Sequence, residues 1–308
     1  MPNRIRATLR RLAANRWLRL ASVVVPLAVS VGLLSRVPRI SLLPLLPAVA
    51  VWTLGKYVLC PVRWMLVSRN GRGLWWHLRT YAEGELLGLA SPAHVGADLW
   101  RGSRLVGAGM EPFHSGGVIA VDRLIGAVAL VLVGALVGVT LPARTAVPVF
   151  VVGLVAVALV LIVRRRRPAV GRAWPGWRAA AAGVGLSLAY QVTAVALLVG
   201  AVTATGHRAG PVEVATLYAA SQLATLVPGL NGLSAREGAL AAALVSTGAS
   251  WSAALGAVAL VAVVAWGPAT VLGGSSLLAR FVTRGRTSGH GGTSPRREEV
   301  SPCPEVRA

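Results

Sequence analysis

Long apolar runs, separated by short basic loops, dominate the hydrophobic pattern of this chain. A helix needs about 20 mostly apolar residues to cross the ~30 Å hydrocarbon core of a bilayer. On this basis we predict full transmembrane helices at 20–34, 42–60, 117–139, 146–163, 179–203 and 253–278. The fold class that follows is all-α, a polytopic integral membrane protein with about six full transmembrane helices.

Two further segments have a helical pattern but are less apolar, and each is interrupted near its middle. The first (75–109) breaks at Pro92, and the second (212–248) breaks at Pro228. Irregular backbone is tolerated at membrane depth only where protein or a water-filled cavity satisfies its polar groups. The breaks therefore favour two re-entrant helical hairpins, although the charge pattern alone would also allow each segment to cross twice.

Basic residues outnumber acidic ones by 31 to 10, which gives a formal net charge of +21. Such a balance is typical of nucleic-acid-binding proteins, but here the arginines lie between apolar runs rather than along one polar face. The predicted external loops hold only Arg36, Arg39, Arg144 and Arg208. Because positive residues accumulate on the cytoplasmic side, we expect both termini in the cytoplasm and no nucleic-acid partner.

The expected organisation is a basic cytoplasmic segment at 1–19, a membrane domain at 20–279 and a disordered cytoplasmic tail at 280–308. The first apolar run could also be a signal peptide, but the Ser-Arg-Val-Pro sequence that follows it offers no small-residue cleavage site. We therefore expect a retained span, in the cytoplasmic membrane of a bacterium. Only 13% of residues are charged, against roughly a quarter in soluble domains, which excludes a soluble enzyme.

The two broken segments resemble each other. In each, proline is followed four residues later by glycine and then by an acid and an arginine on the resuming helix, as in Pro92, Gly96, Asp98 and Arg101. Since the first hairpin is predicted to enter from the cytoplasm and the second from outside, they indicate an inverted-topology repeat with units 20–140 and 145–279. Chance is the competing explanation, because proline and glycine are frequent in transmembrane helices.

The breaks carry the candidate chemistry. Ser91 and Pro92 suit the start of a helix, and Ser234 to Glu237 form a capping-box pattern. Each resuming helix would point its N-terminus, with free N–H groups that bind phosphate or carboxylate, into the membrane. The candidate substrate-binding residues are Pro92, Gly96, Asp98, Arg101, Arg104, Asp122, Arg123, Pro228, Gly229, Gly232, Arg236 and Glu237.

Structural explanations for the same residues remain open. Glu237 could only cap its own helix, Asp98 and Arg101 could only pair with each other, and Asp122-Arg123 could only anchor a span. His94 fits a polar cavity wall better than a ligand or a base. Tyr218, Gln222 and Thr225 share a helix face and could line a path or bond neighbouring helices. The histidines show no metal-ligand spacing, and we predict no metal and no cofactor.

At these residues the chain resembles the transmembrane flippase-like region of lysylphosphatidylglycerol synthases, a family that also occurs as stand-alone membrane proteins. The resemblance covers about residues 15–280. Its motifs are Ser91-Pro92 with Gly96-Ala-Asp98-Leu-Trp-Arg101, Asp122-Arg123-Leu-Ile-Gly126, and Val227-Pro228-Gly229 with Gly232 and Arg236-Glu237-Gly238. The sequence departs from the family where Leu230-Asn231 interrupts the usual glycine run, and where Asp122 replaces the more frequent glutamate.

The resemblance implies a protein that binds an anionic lipid, of phospholipid or polyprenyl-phosphate type, and moves it between leaflets. It also implies that the soluble aminoacyl-transferase domain of the synthases is missing, and that envelope-biosynthesis enzymes are partners. Two other functions stay open: a glycosyltransferase acting on a polyprenyl phosphate, with Asp98 or Glu237 as base, and a non-transporting scaffold of an envelope-lipid pathway. No P-loop occurs in the sequence, which argues against a self-contained ATP-driven pump.

Overall fold

The computed structural model describes residues 16–37, 40–91, 94–138, 158, 162, 173–222 and 234–280, and within these ranges it is helical and contains no strand. We number the helices in chain order. They are α1 Arg16–Leu34, α2 Leu45–Ser68, α3 Leu74–Leu89, α4 Val95–Val106, α5 Pro112–Gly138, α6 Trp177–Ala204, α7 Pro211–Ser221, α8 Ala235–Ser246 and α9 Trp251–Arg280. Two of them contain a π-helical turn, at Gly55–Leu59 in α2 and at Ala269–Gly274 in α9.

Four of these helices are long and apolar enough to cross a membrane, namely Leu45–Ser68, Pro112–Leu136, Trp177–Ala204 and Trp251–Arg280. The all-α class is thereby confirmed for the described residues, and the four helices are compatible with an integral membrane protein. The run predicted at 20–34 forms α1, a helix of 19 residues that is not among the four. The span predicted at 146–163 and most of the tail predicted at 280–308 lie outside the described residues, so the count of six stays a prediction.

Helix α2 differs from its prediction at its C-terminal end. We expected a span at 42–60 followed by a basic loop that contained Arg63, but the helix continues to Ser68 and Arg63 is buried within it. The reason is that the Arg63 guanidinium pairs with Asp122 on α5, so its charge does not need water. The helix ends only at Arg69, which has the left-handed backbone conformation (φ 47°) of a helix C-cap.

Helix α6 lies at the centre of the fold and packs against α2, α5, α7 and α9. Small residues allow the closest of these crossings, as they commonly do between membrane helices. A Cβ on Gly200 would lie 2.6 Å from the Cβ of Ala48, and a Cβ on Gly55 would overlap the side chain of Thr193. The main apolar core surrounds this helix and includes Leu197 and Leu198.

The two broken segments form two pairs of short helices. Helices α3 and α4 pack against each other, as do α7 and α8. Their described lengths are 16, 12, 11 and 12 residues, or roughly 16–24 Å at 1.5 Å per residue, which is less than a bilayer core. These lengths fit the predicted hairpins, whereas their depth in a membrane and their relation by an inverted repeat stay predictions.

Candidate functional site

A cavity of about 570 Å³ lies among α2, α3, α5, α6, α7, α8 and α9. Its apolar wall is formed mainly by α5, α6 and α9, including Leu130, Leu197 and Val261. Its polar wall, among the described residues, carries four cationic side chains and three carboxylates together with histidine and tyrosine. These are Lys56, Arg63, Arg123, Arg236, Glu85, Asp122, Glu237, His94, Tyr57, Tyr81, Tyr190 and Tyr218.

The cavity brings the two broken segments together. Ser91 and His94, where α3 gives way to α4, line it, and so do Ser234, Arg236 and Glu237 at the start of α8. The N-termini of two short helices thus border one polar space, as the sequence pattern led us to expect. Pro92, Pro228, Gly229 and Gly232, which belong to the predicted site, lie outside the described residues.

The start of α4 differs in register from its prediction. The helix begins at Val95 with His94 as N-cap residue in the left-handed conformation (φ 60°), so Ser91 is not the N-cap. Ser91 nevertheless accepts a hydrogen bond at its Oγ from the Gly96 N–H, at 2.8 Å. Gly96 itself lies against the carbonyl oxygen of Leu87, which leaves no room for a side chain. Its role is close packing of α4 on α3 rather than lining of the cavity.

The start of α8 has the predicted capping interaction. The Ser234 N–H donates to the Glu237 carboxylate at 2.8 Å, and the Ser234 hydroxyl donates to the same oxygen. Glu237 therefore caps its own helix. The neighbouring Arg236 has a different environment, because its guanidinium lies 5.6 Å from the centre of the Tyr218 ring. No carboxylate among the described residues forms an ion pair with Arg236, and its buried Nε has no hydrogen-bond partner.

A second group of polar side chains on the cavity wall, around Glu85, was not predicted from the sequence. Lys56 Nζ and His94 Nε2 both lie 2.9 Å from the same oxygen, Oε2 of Glu85. Gly88 makes room for this arrangement, since a Cβ there would come within 2.6 Å of the His94 ring. A charged residue inside an apolar run indicates a functional site, so the lone lysine of the sequence could have drawn attention to this group.

Five charged residues form a network beside the cavity. Arg63 binds Asp122 through two contacts, Nε to Oδ1 at 2.8 Å and Nη2 to Oδ2 at 3.0 Å, and Arg101 Nη1 lies 3.3 Å from Oδ2 of the same carboxylate. Arg101 also pairs with Asp98, whose other partner is Arg123 at 2.9 Å. Asp98 and Arg101 are thus paired, but in a larger network than the isolated pair considered above.

The network divides the predicted residues into two groups. Asp122 and Arg123 reach the cavity wall, so Asp122 does more than anchor α5. Asp98, Arg101 and Gly96 are absent from the described wall, and Arg101 is only 3% exposed behind it. Arg104 lies elsewhere, with its guanidinium 6.0 Å from the ring centres of two tryptophans on α3 and α4. The contact of Arg101 and Arg104 with a substrate stays a prediction.

Comparisons of the chain with protein-family models, with curated proteins and with solved structures find no match. The class of protein is therefore defined by its own fold and site. The described part of the chain is helical, has four helices of membrane-spanning length and contains a cavity with a polar wall at the junctions of two pairs of short helices.

Proposed function

We propose that this protein is an integral membrane protein that binds an anionic lipid by its headgroup and moves it between the two leaflets. The observation that supports this most strongly is Arg236, a cation on the cavity wall that no carboxylate of the described residues neutralises. A charge in such a place is costly unless a partner is present for part of the time. A phosphate group would be that partner.

The cavity has a suitable size and charge for a headgroup. Ligand sites in proteins have volumes of ~300–1,000 Å³, and 570 Å³ lies within this range. The start of α8 adds backbone N–H groups next to Arg236, and helix N-termini favour phosphate. The tyrosine rings around these groups supply hydroxyls for the remaining polar atoms of a headgroup, including Tyr218, whose hydroxyl donates to Gln191 at 2.8 Å.

The acyl or prenyl chains would lie along the apolar part of the wall. This part comes largely from α5, α6 and α9, which are three of the four helices long enough to cross a membrane. In this proposal both termini are cytoplasmic, and the α3–α4 and α7–α8 pairs enter the membrane as hairpins whose breaks meet at the headgroup. The expected resemblance to the flippase-like region of lysylphosphatidylglycerol synthases supports the same function.

The contacts of Asp98 and Glu237 give less support to the alternative of a glycosyltransferase. Its two expected bases are already engaged, since Asp98 binds Arg101 and Arg123 and Glu237 caps α8.

Reconstitution tests the proposal. Purified full-length protein in liposomes should accelerate the transbilayer movement of fluorescent phosphatidylglycerol or of a labelled polyprenyl phosphate, while phosphatidylcholine moves more slowly. Matched liposomes without protein, and liposomes with an unrelated helical membrane protein, give the background rate. Equal rates in all three preparations for both anionic lipids would contradict the proposal.

A further inference from the structure

The ion pair between Lys56 and Glu85 occupies the cavity wall at a point where a bound headgroup would compete for it. Lys56 lies in the π-helical turn Gly55–Leu59 of α2, and its side chain is 18% exposed. Glu85, on α3, is 5% exposed and accepts from Lys56 Nζ at 2.9 Å. π-Helical turns within α-helices occur frequently at functional sites, and both side chains line the cavity.

Two properties make this ion pair exchangeable. First, Lys56 Nζ and His94 Nε2 share a single oxygen of Glu85, Oε2, each at 2.9 Å. Lys56 can therefore leave while His94 still binds the carboxylate. Second, lysine has a compact ammonium group on a flexible stem with three donors, and Lys56 is surrounded by the Tyr81 and Tyr190 rings at 5.9 Å and 5.7 Å rather than by further carboxylates.

The Arg63–Asp122 pair on the same wall lacks this freedom. Arg63 donates through two nitrogens to Asp122 and through Nη1 to Ser187 Oγ at 2.9 Å. Three hydrogen bonds to two side chains therefore fix its guanidinium. Of the four cations on the described wall, Arg236 has no carboxylate partner among the described residues, Arg63 and Arg123 belong to the network of Asp122 and Asp98, and Lys56 is held by one exchangeable contact.

We infer that Lys56 is a second headgroup-binding cation, and that Glu85 holds it as a substitute anion until a lipid phosphate displaces the carboxylate. This inference rests on the proposed function and names the residues that set the affinity of its site. In the empty site Glu85 satisfies the buried charge of Lys56. In the occupied site the phosphate binds Lys56 and Arg236, while His94 keeps Glu85. Return of Lys56 to Glu85 then assists release of the lipid.

The inference predicts opposite effects from the two partners of one ion pair. Glu85→Gln removes the competing charge and should tighten binding of short-chain phosphatidylglycerol several-fold, with slower transbilayer movement because release is impaired. Lys56→Met should weaken binding about tenfold, the loss expected for one charge-assisted contact, while Lys56→Arg should retain most of it. The matched control is Glu83→Gln, which neutralises a buried carboxylate on the same helix that does not line the cavity.

Binding is measured by titrating purified full-length protein in detergent with short-chain phosphatidylglycerol and counting bound lipid by native mass spectrometry. Weaker binding by Glu85→Gln, or equal binding by Lys56→Met and the wild type, would overturn the inference. If Glu85→Gln fails to fold, the comparison of Lys56→Met with Lys56→Arg decides, and equal affinities overturn the inference. If the wild-type protein binds no anionic lipid, both the proposed function and this inference fail. If the wild-type protein binds the lipid, and Arg236→Ala is the only variant that weakens binding, the inference alone fails.

Discussion

The Arg63 guanidinium and the Asp122 carboxylate form a two-contact ion pair between α2 and α5, at 2.8 Å and 3.0 Å, in a region where both residues are buried. Asp122 also binds Arg101, which joins α4 to the same point. One carboxylate thus connects three helices. The α4 helix is held in place next to the cavity through this connection.

Removal of Asp122 should therefore destabilise the protein strongly. Breaking a buried ion pair by removing one partner costs ~3–5 kcal/mol, because the other charge is left without compensation. We expect Asp122→Asn to lower the thermal unfolding temperature in detergent by several degrees. The double variant Arg63→Met with Asp122→Leu should lose less than the sum of the two single variants. Exposed Arg123 provides the control, since Arg123→Ala should cost ~0–1 kcal/mol. Full stability of Asp122→Asn would contradict the assignment.

Substitution of Gly96 should disturb the packing of α4 on α3. A Cβ at this position would overlap the Leu87 carbonyl oxygen and lie 2.7 Å from Ser91 Oγ. Overpacking of this kind costs ~1–3 kcal/mol, so Gly96→Ala should lower the unfolding temperature. Gly116→Ala in α5 is the matched control, because no atom lies within 4 Å of its added Cβ. If both variants unfold at the same temperature, the close contact at Gly96 is not a determinant of stability.

Glu237 should act through its helix cap. Glutamine also accepts from a backbone N–H at this position of a capping box, so Glu237→Gln should keep both stability and lipid movement. Glu237→Ala removes the acceptor of the Ser234 N–H and should cost ~0.5–2 kcal/mol of unfolding free energy. Loss of lipid movement by a stable Glu237→Gln protein would show that the carboxylate takes part in transport.

The two ends of α6 should lie on opposite sides of the membrane. The helix has 28 residues, which is roughly 42 Å at 1.5 Å per residue and exceeds the bilayer core. Arg178 and Arg208 are exposed near its two ends. In a protein without Cys60 and Cys303, a cysteine at 178 should react with an impermeant maleimide from the cytoplasmic side and a cysteine at 208 from outside. Labelling of both from one side would contradict the topology.

The sequence was informative where a local signal has a direct structural consequence. Helix α3 ends at Leu89, just before Ser91-Pro92, and α8 begins at the Ser234 to Glu237 capping box, so these two helix ends could be predicted. Proline alone is not sufficient, because Pro268 lies inside α9. Apolar length likewise predicted α5, α6 and α9 within a few residues. Residues that flank the two breaks, Ser91 and Ser234, line one cavity, whereas the meeting of the breaks at membrane depth stays a prediction.

Other parts of the site depend on contacts between residues far apart in the chain. Arg63 looked like a loop residue because it follows an apolar run, and only the position of Asp122, 59 residues later, explains its burial. Glu85 could not be recognised without its neighbour Lys56. Arg101 faces Asp122 and Asp98 rather than the cavity, and this orientation depends on how α4 rotates against α5.

The most direct measurement of the central claim concerns Arg236, a cation of the cavity wall that forms no ion pair with a carboxylate of the described residues. Lipid binding and transbilayer movement of labelled phosphatidylglycerol and polyprenyl phosphate are compared for the wild type, Arg236→Ala, Arg236→Lys and Arg178→Ala. Arg178 provides the control, because it is exposed and absent from the described wall. We predict that Arg236→Ala weakens binding of the anionic lipid about tenfold and slows its movement, that Arg236→Lys retains part of both, and that Arg178→Ala changes neither. Unchanged binding and movement in a folded Arg236→Ala protein would contradict the account.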